Sequence, residues 1–257
     1  MRVDGDDLGI VTRIVGSART GAFFLVSALY LLVVILVALV RPRSSSWYSL
    51  ARAWADWGLS WFGVGVETSG LGHLERGRDY VVLANHRSLF DPFAIICAFE
   101  DRETRWVAKR ELARVPIFGS ALRVTGQILI DRRNRDAAIG ELRRHLGCRG
   151  NSVVFFPEGH RAPGTELLPF KKGGAGFAID AGLPLVPVAI SGSEKALPYG
   201  SLLARPGVIR VRVGEPFDVS SGDREAVTQR ARDAIQAMLD EVEPQTRELE
   251  RDRTPNV

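Results

Sequence analysis

A chain of 257 residues, 46% of them hydrophobic, holds enough apolar mass for one sizeable core and an appendage. Its formal net charge is only +4, but nearly all of its 34 basic residues are arginine, a bias that fits either genomic base composition or recognition of phosphate. Two cysteines, Cys97 and Cys148, with no CxxC pair and no Cys/His cluster, exclude a disulfide framework or a zinc site and suit a reducing compartment.

Residues 1–20 read as a polar N-terminal tail, acidic first and then basic at Arg13 and Arg19. From Ala22 to Val40 there are 19 residues without a charge. As a helix that run spans about 28 Å, close to the thickness of a hydrocarbon core. A cleaved signal peptide is the rival, but the run is long for one and no small-residue cleavage pattern precedes Arg41-Pro42-Arg43. Arginines at both ends leave its orientation open. All but one of the five tryptophans fall between Trp47 and Phe62. Trp47, Leu50, Trp54, Trp57 and Trp61 recur at helical spacing and share one face. Beside a membrane segment such a face is expected in the lipid interface, the alternative being a helix packed on the folded domain. Residues 21–62 are therefore expected to form a membrane anchor plus a tryptophan-rich interfacial helix, the apolar run either crossing the bilayer or entering one leaflet.

Residues 63–243 alternate short apolar runs with helical ones. Strands are expected at Tyr80–Ala84, Arg105–Ala108, Gln127–Ile130, Val153–Phe156, Val186–Ile190 and Val208–Val213. Helices are expected at Pro92–Phe99, Asp136–Leu146, Gly174–Ala181 and Asp223–Val242. The pattern predicts an α/β domain, a mixed, largely parallel sheet covered by helices. Residues 244–257, charged and without apolar periodicity, read as a disordered tail.

The stretch around which the domain is read is Asn85-His86-Arg87-Ser88-Leu89-Phe90-Asp91. It follows a strand and precedes a helix, where a rigid element can hold a reachable side chain. In one reading Asp91 accepts a hydrogen bond from His86, fixes its tautomer and leaves the other ring nitrogen as a general base. In another, Ser88 and Asp91 form an S-x-x-D capping box with Pro92 in the first turn. The two are compatible. Further stretches end apolar runs: Gly126–Arg132, Phe155–Arg161 and Leu185–Gly192, with Lys109 earlier and Phe170-Lys171-Lys172 between the last two. At the carboxyl edge of an open α/β sheet, where ligands bind, Arg132, Arg161 and Lys171 would suit a phosphate and Glu158 a hydroxyl or an arginine. Alternatively Asp131, Arg132, Glu158 and Arg161 pair with one another as a surface network.

Taken in order, these blocks resemble the PlsC-like glycerophospholipid acyltransferases. His86 and Asp91 match the NHxxxxD block, and Gly126–Arg132 a GxxFIDR-like block with Leu129 where phenylalanine is common. Phe156–Arg161 match an FPEGTRS-like block, with His160 in place of threonine and Ala162 of serine, and Val186–Ile190 a VPVAI-like block. The resemblance covers roughly residues 70 to 215. It implies acyl transfer to the free hydroxyl of 1-acylglycerol-3-phosphate, with acyl-CoA or acyl-ACP as co-substrate and no metal or other cofactor. The implied roles are general base for His86, its orienting carboxylate for Asp91, and substrate binding for Arg132, Glu158, Gly159, Arg161, Lys109 and Lys171. Membrane lipids and the acyl donor are the implied partners, with no nucleic acid and the oligomeric state open. The implied location is the cell membrane, the catalytic domain on its cytoplasmic face. Another lysolipid acceptor stays open because of His160, as does a non-catalytic lipid-binding protein.

Overall fold

A computed structural model describes residues 10–40, 46–100, 102–124, 127–130, 151–164, 166–219 and 222–252. In chain order these form α1 (Ile10–Val40), α2 (Ser46–Trp61), β1 (Val64–Ser69), β2 (Tyr80–Ala84), α3 (Asp91–Ala98), β3 (Thr104–Lys109), α4 (Phe118–Val124), β4 (Ile128–Ile130), β5 (Ser152–Phe155), α5 (Gly173–Ala181), β6 (Leu185–Ser191), α6 (Ser193–Ala196), β7 (Gly207–Val213) and α7 (Arg224–Asp252). Short 3₁₀ turns fill Leu71–His73 and Arg110–Arg114.

The strands make one seven-stranded sheet in the order β1-β7-β6-β2-β5-β3-β4. β6 and β7 pair antiparallel; the other ladders are parallel. Every residue of β2 is buried, as a central strand covered on both faces requires. Its pleat divides the core: Tyr80, Val82 and Ala84 face a cluster completed by α2, α3 and β1, while Val81 and Leu83 face one completed by α5 and α7. Because β2, β5, β3 and β4 run parallel, the stretches that follow them leave the sheet at one edge.

The expected strands are all present, and β1 is an additional one. Its residues Val64–Ser69 alternate poorly, and it gains its place by pairing with β7. The helix expected at Asp136–Leu146 lies outside the described residues. The polar tail does not extend to residue 20, since α1 begins at Ile10; the apolar stretch propagates the helix backward past Arg13 and Arg19. Within α1, Gly16–Val37 is long and apolar enough to cross a membrane. Thr20, Phe23, Ser27 and Val34 are buried along one stripe, and Phe24, Leu25, Leu29, Leu32, Val33 and Leu36 are exposed.

Trp54, Trp57 and Trp61 of α2 pack against the protein core, where a lipid interface was expected. Trp57 stacks on Phe23 of α1, and Trp54 lies 4.6 Å from the Phe93 ring while its Nε1 donates to Ser27 Oγ. Leu59 and Phe62 are buried in the core cluster beside β1. The domain thus reaches back through α2, and residue 62 is not its boundary. Three apolar surfaces, those of α1, α3 and the sheet, meet there, and large amphipathic rings are the side chains that fill such a junction. At the other end α7 continues through Pro244 to Asp252, where a disordered tail was expected. Arg247, Glu248, Leu249, Glu250 and Arg251 all have high helix propensity and extend a helix already fixed by packing.

Candidate active site

β2 ends at Ala84, and Asn85 prolongs its ladder with a side chain. Asn85 Nδ2 donates to Ile190 O at 2.9 Å and Ile190 N donates to Asn85 Oδ1 at 2.7 Å. The chain is therefore clamped to β6 one residue before His86. His86 Nδ1 lies 2.8 Å from Asp91 Oδ2, with the ring 17% exposed and the carboxylate fully buried. An ionised carboxylate can only accept, so Nδ1 carries the proton and Nε2 keeps its lone pair. Asp91 Oδ2 also accepts from the main-chain N–H of Arg87 (2.7 Å) and of Ser88 (2.8 Å). The same oxygen therefore closes the turn into α3 and orients the imidazole. Only this half of the capping box forms, since Ser88 Oγ accepts from Phe90 N at 3.3 Å rather than from Asp91 N, and itself donates to Leu197 O at 2.8 Å.

One face of the imidazole is closed by Phe156, stacked at 4.0 Å and 15°, and Phe156 stacks in turn on Trp106. Stacking confines the ring to the plane Asp91 selects.

Glu158 is 1% exposed. Its Oε1 accepts from His86 N at 2.8 Å and its Oε2 from Leu168 N at 3.1 Å. Both oxygens thus hold main chain, an arrangement different from the substrate-binding role the resemblance implies. Burial pushes its pKa above the usual carboxylate range, opposed by those two hydrogen bonds and by the nearby Arg87 and His86. Ala162 N donates to His86 O at 2.8 Å, so the segment 158–162 grips both main-chain polar groups of the histidine. Arg161 sits between these grips. Its guanidinium lies 5.3 Å from the ring centre of Tyr199, and no carboxylate among the described residues pairs with it. Lys171 is tied by its N–H to Pro157 O. A β-carbon on Gly159, whose φ is +80°, would stand 2.5 Å from Lys171 Nζ. Only glycine permits both that backbone and that approach.

The structure thus brings His86, Asp91, Glu158, Gly159, Arg161 and Lys171 to one edge of the sheet. Lys109 ends β3 at the same edge. Arg132 follows β4 by two residues and lies outside the described residues. A surface network of Glu158 with Arg161 does not form. Cys97 packs at the core, and burial, with Asp56 and Glu100 nearby, pushes its thiol up to about 12, so it is no nucleophile near neutral pH. Among the described residues no three His, Cys, Asp or Glu side chains converge as a metal site. Asn85, Phe156, Trp106 and Tyr199 were not legible as site residues. Asn85 and Phe156 lay inside stretches read for their neighbours, and Trp106 and Tyr199 reach the site only through tertiary packing.

The arrangement provides a base whose tautomer is fixed, with Arg161 and Lys171 close by and without a carboxylate partner among the described residues. A model of the acyltransferase family matches residues 65–191. The chain is 34% identical over 173 residues to 1-acyl-sn-glycerol-3-phosphate acyltransferase of Escherichia coli (strain K12), covering 66% of this chain and 69% of that one. It is 29% identical over 219 residues to the protein of the same name from Pseudomonas aeruginosa, covering 81% and 83%. Its fold is similar to the crystal structure of the 1-acyl-sn-glycerophosphate (LPA) acyltransferase, PlsC, from Thermotoga maritima, with TM-score 0.75, 23% identity, and coverage of 90% of this chain and 97% of that one. The chain belongs to the PlsC-like family of acyltransferases.

Proposed function

We propose that the protein transfers a fatty acyl group from an acyl thioester, acyl-CoA or acyl-ACP, to the free hydroxyl of 1-acylglycerol-3-phosphate, giving phosphatidic acid. The observation that carries this reading is the His86–Asp91 pair, held at Nδ1 and by its main chain, beside Arg161 and Lys171, which no carboxylate among the described residues pairs. The acceptor hydroxyl gives its proton to His86 Nε2 as its oxygen bonds to the thioester carbonyl carbon. Asp91 stabilises the imidazolium. Collapse of the tetrahedral adduct breaks the carbon–sulfur bond, and the leaving thiolate takes that proton. The acceptor's hydroxyl is the nucleophile, so no enzyme nucleophile is needed.

Arg161 and Lys171 bind the acceptor phosphate, with Arg132 and Lys109 from neighbouring strand ends. Glu158 acts behind the site, as the brace of His86. The exposed apolar face of α1 anchors the protein in a membrane, where the lysolipid acceptor and the two-chain product reside. The catalytic edge faces the cytoplasm, where soluble thioesters are available. The test is acyl transfer by the purified protein, with both donor classes, across a panel of lysolipids including lyso-ornithine lipid. The reading expects phosphate-bearing 1-acylglycerol to be the best acceptor. A preference for a lysolipid without that phosphate monoester would overturn it.

A further inference from the structure

The segment Leu197–Pro206, between α6 and β7, is fastened at three places. Leu197 O accepts Ser88 Oγ inside the His86–Asp91 turn, and Arg205 N closes the base of the segment on Ala196 O at 2.7 Å. At its far side Leu202 O accepts Thr20 Oγ1 of α1 at 2.9 Å. Leu203 fills the notch at Gly16 of α1, where a β-carbon would stand 2.9 Å from its Cδ2. Between the ends, Ser201 N donates to Pro198 O at 3.1 Å and Gly200 has φ +76°. That is a tight turn with Tyr199 at its first central position. The turn presents the Tyr199 ring outward, 54% exposed, with Arg161 over its face.

A carboxylate would hold Arg161 equally well, but it would neutralise the charge and occupy the donors. A ring face holds the guanidinium plane and leaves its N–H edge for a ligand. We propose that Tyr199 is a positioning residue that aims Arg161 at the acceptor phosphate, and that the 197–203 segment makes this aim depend on α1 being packed in place. The proposal rests on the phosphate role given to Arg161 above.

The test is steady-state kinetics of the full chain in lipid vesicles, with acceptor and donor varied separately. Tyr199→Ala raises the acceptor KM about 3- to 10-fold, the size of one exposed cation–π contact or somewhat more. It leaves the donor KM and the melting temperature unchanged. Tyr199→Phe keeps the ring face and retains the wild-type acceptor KM. Thr20→Val, which removes the hydroxyl held by Leu202 O, moves the acceptor KM in the same direction by less. In an Arg161→Ala background Tyr199→Ala adds nothing. If Arg161→Ala raises the acceptor KM and Tyr199→Ala does not, the positioning role is wrong and the phosphate reading stands. If Arg161→Ala itself leaves the acceptor KM unchanged, the phosphate reading fails and takes this proposal with it. An unaltered KM in Thr20→Val overturns the link to α1.

Discussion

Replacing Glu158 by glutamine separates a brace from a substrate ligand. The wild-type carboxylate accepts two main-chain hydrogen bonds, from His86 N at 2.8 Å and Leu168 N at 3.1 Å, at 1% exposure. Glutamine offers one oxygen and an NH₂ group, so one of the two buried N–H groups is left facing a donor. Losing that hydrogen bond and stranding a buried N–H costs about 2–3 kcal/mol. For a chain of this size that corresponds to a fall in melting temperature of roughly 5–10 °C. The deficit depends on pH with a definite sign. Because the folded-state pKa of Glu158 is raised, the folded chain keeps this proton to higher pH than the unfolded chain does, whose value is about 4.3. The corresponding stability is fully present below that value and is lost as pH rises through the folded-state value. Glutamine does not titrate there, so the deficit of Glu158→Gln is largest in acid and shrinks toward neutrality. The assay is thermal melting across pH 4–8 combined with kinetics. The brace predicts a lower kcat, because His86 is displaced, with an acceptor KM close to wild type. An unchanged melting temperature with a raised acceptor KM would show that the carboxylate contacts substrate.

Asp91→Asn keeps a cap for α3 but presents an amide to His86 Nδ1. The tautomer control is lost and kcat falls about 10²- to 10⁴-fold with little change in acceptor KM; a loss below tenfold refutes the orienting role. Gly159→Ala places a β-carbon at φ +80° against Lys171 Nζ. It costs about 1 kcal/mol in a denaturant melt and raises the acceptor KM by displacing the ammonium; an unaltered KM removes Lys171 from the phosphate site. Deleting residues 1–62 strips Leu59 and Phe62 from the core and yields aggregated protein, whereas deleting residues 1–45 leaves α2 in place. The shorter deletion is expected to stay folded by circular dichroism and to lose co-sedimentation with vesicles. Retained co-sedimentation would place the membrane attachment outside α1.

The sheet was readable because buried parallel strands are continuous apolar runs, as in Tyr80–Ala84 and Leu185–Ile190. β1 was not, because Val64–Ser69 is a strand only through its partner β7. The His86–Asp91 pair was local, five residues apart, and its hydrogen bond was foreseen from spacing. The function of Glu158 was not, because a carboxylate bonding main-chain N–H groups of residues 72 and 10 positions away leaves no pattern in the sequence. The tryptophans of α2 illustrate a further limit. Helical spacing identifies a shared face, but the same amphipathic rings suit a lipid interface and a protein junction. Only the positions of Phe23 and Phe93 decide between them.

The central claim, that His86 removes the acceptor proton, is tested most directly by single-turnover acyl transfer from acyl-CoA to 1-acylglycerol-3-phosphate with His86→Ala. The variant is expected to bind the lysolipid and melt like wild type while the transfer step slows by about 10²- to 10⁴-fold. Transfer at the wild-type rate by a folded, lysolipid-binding His86→Ala protein would contradict it.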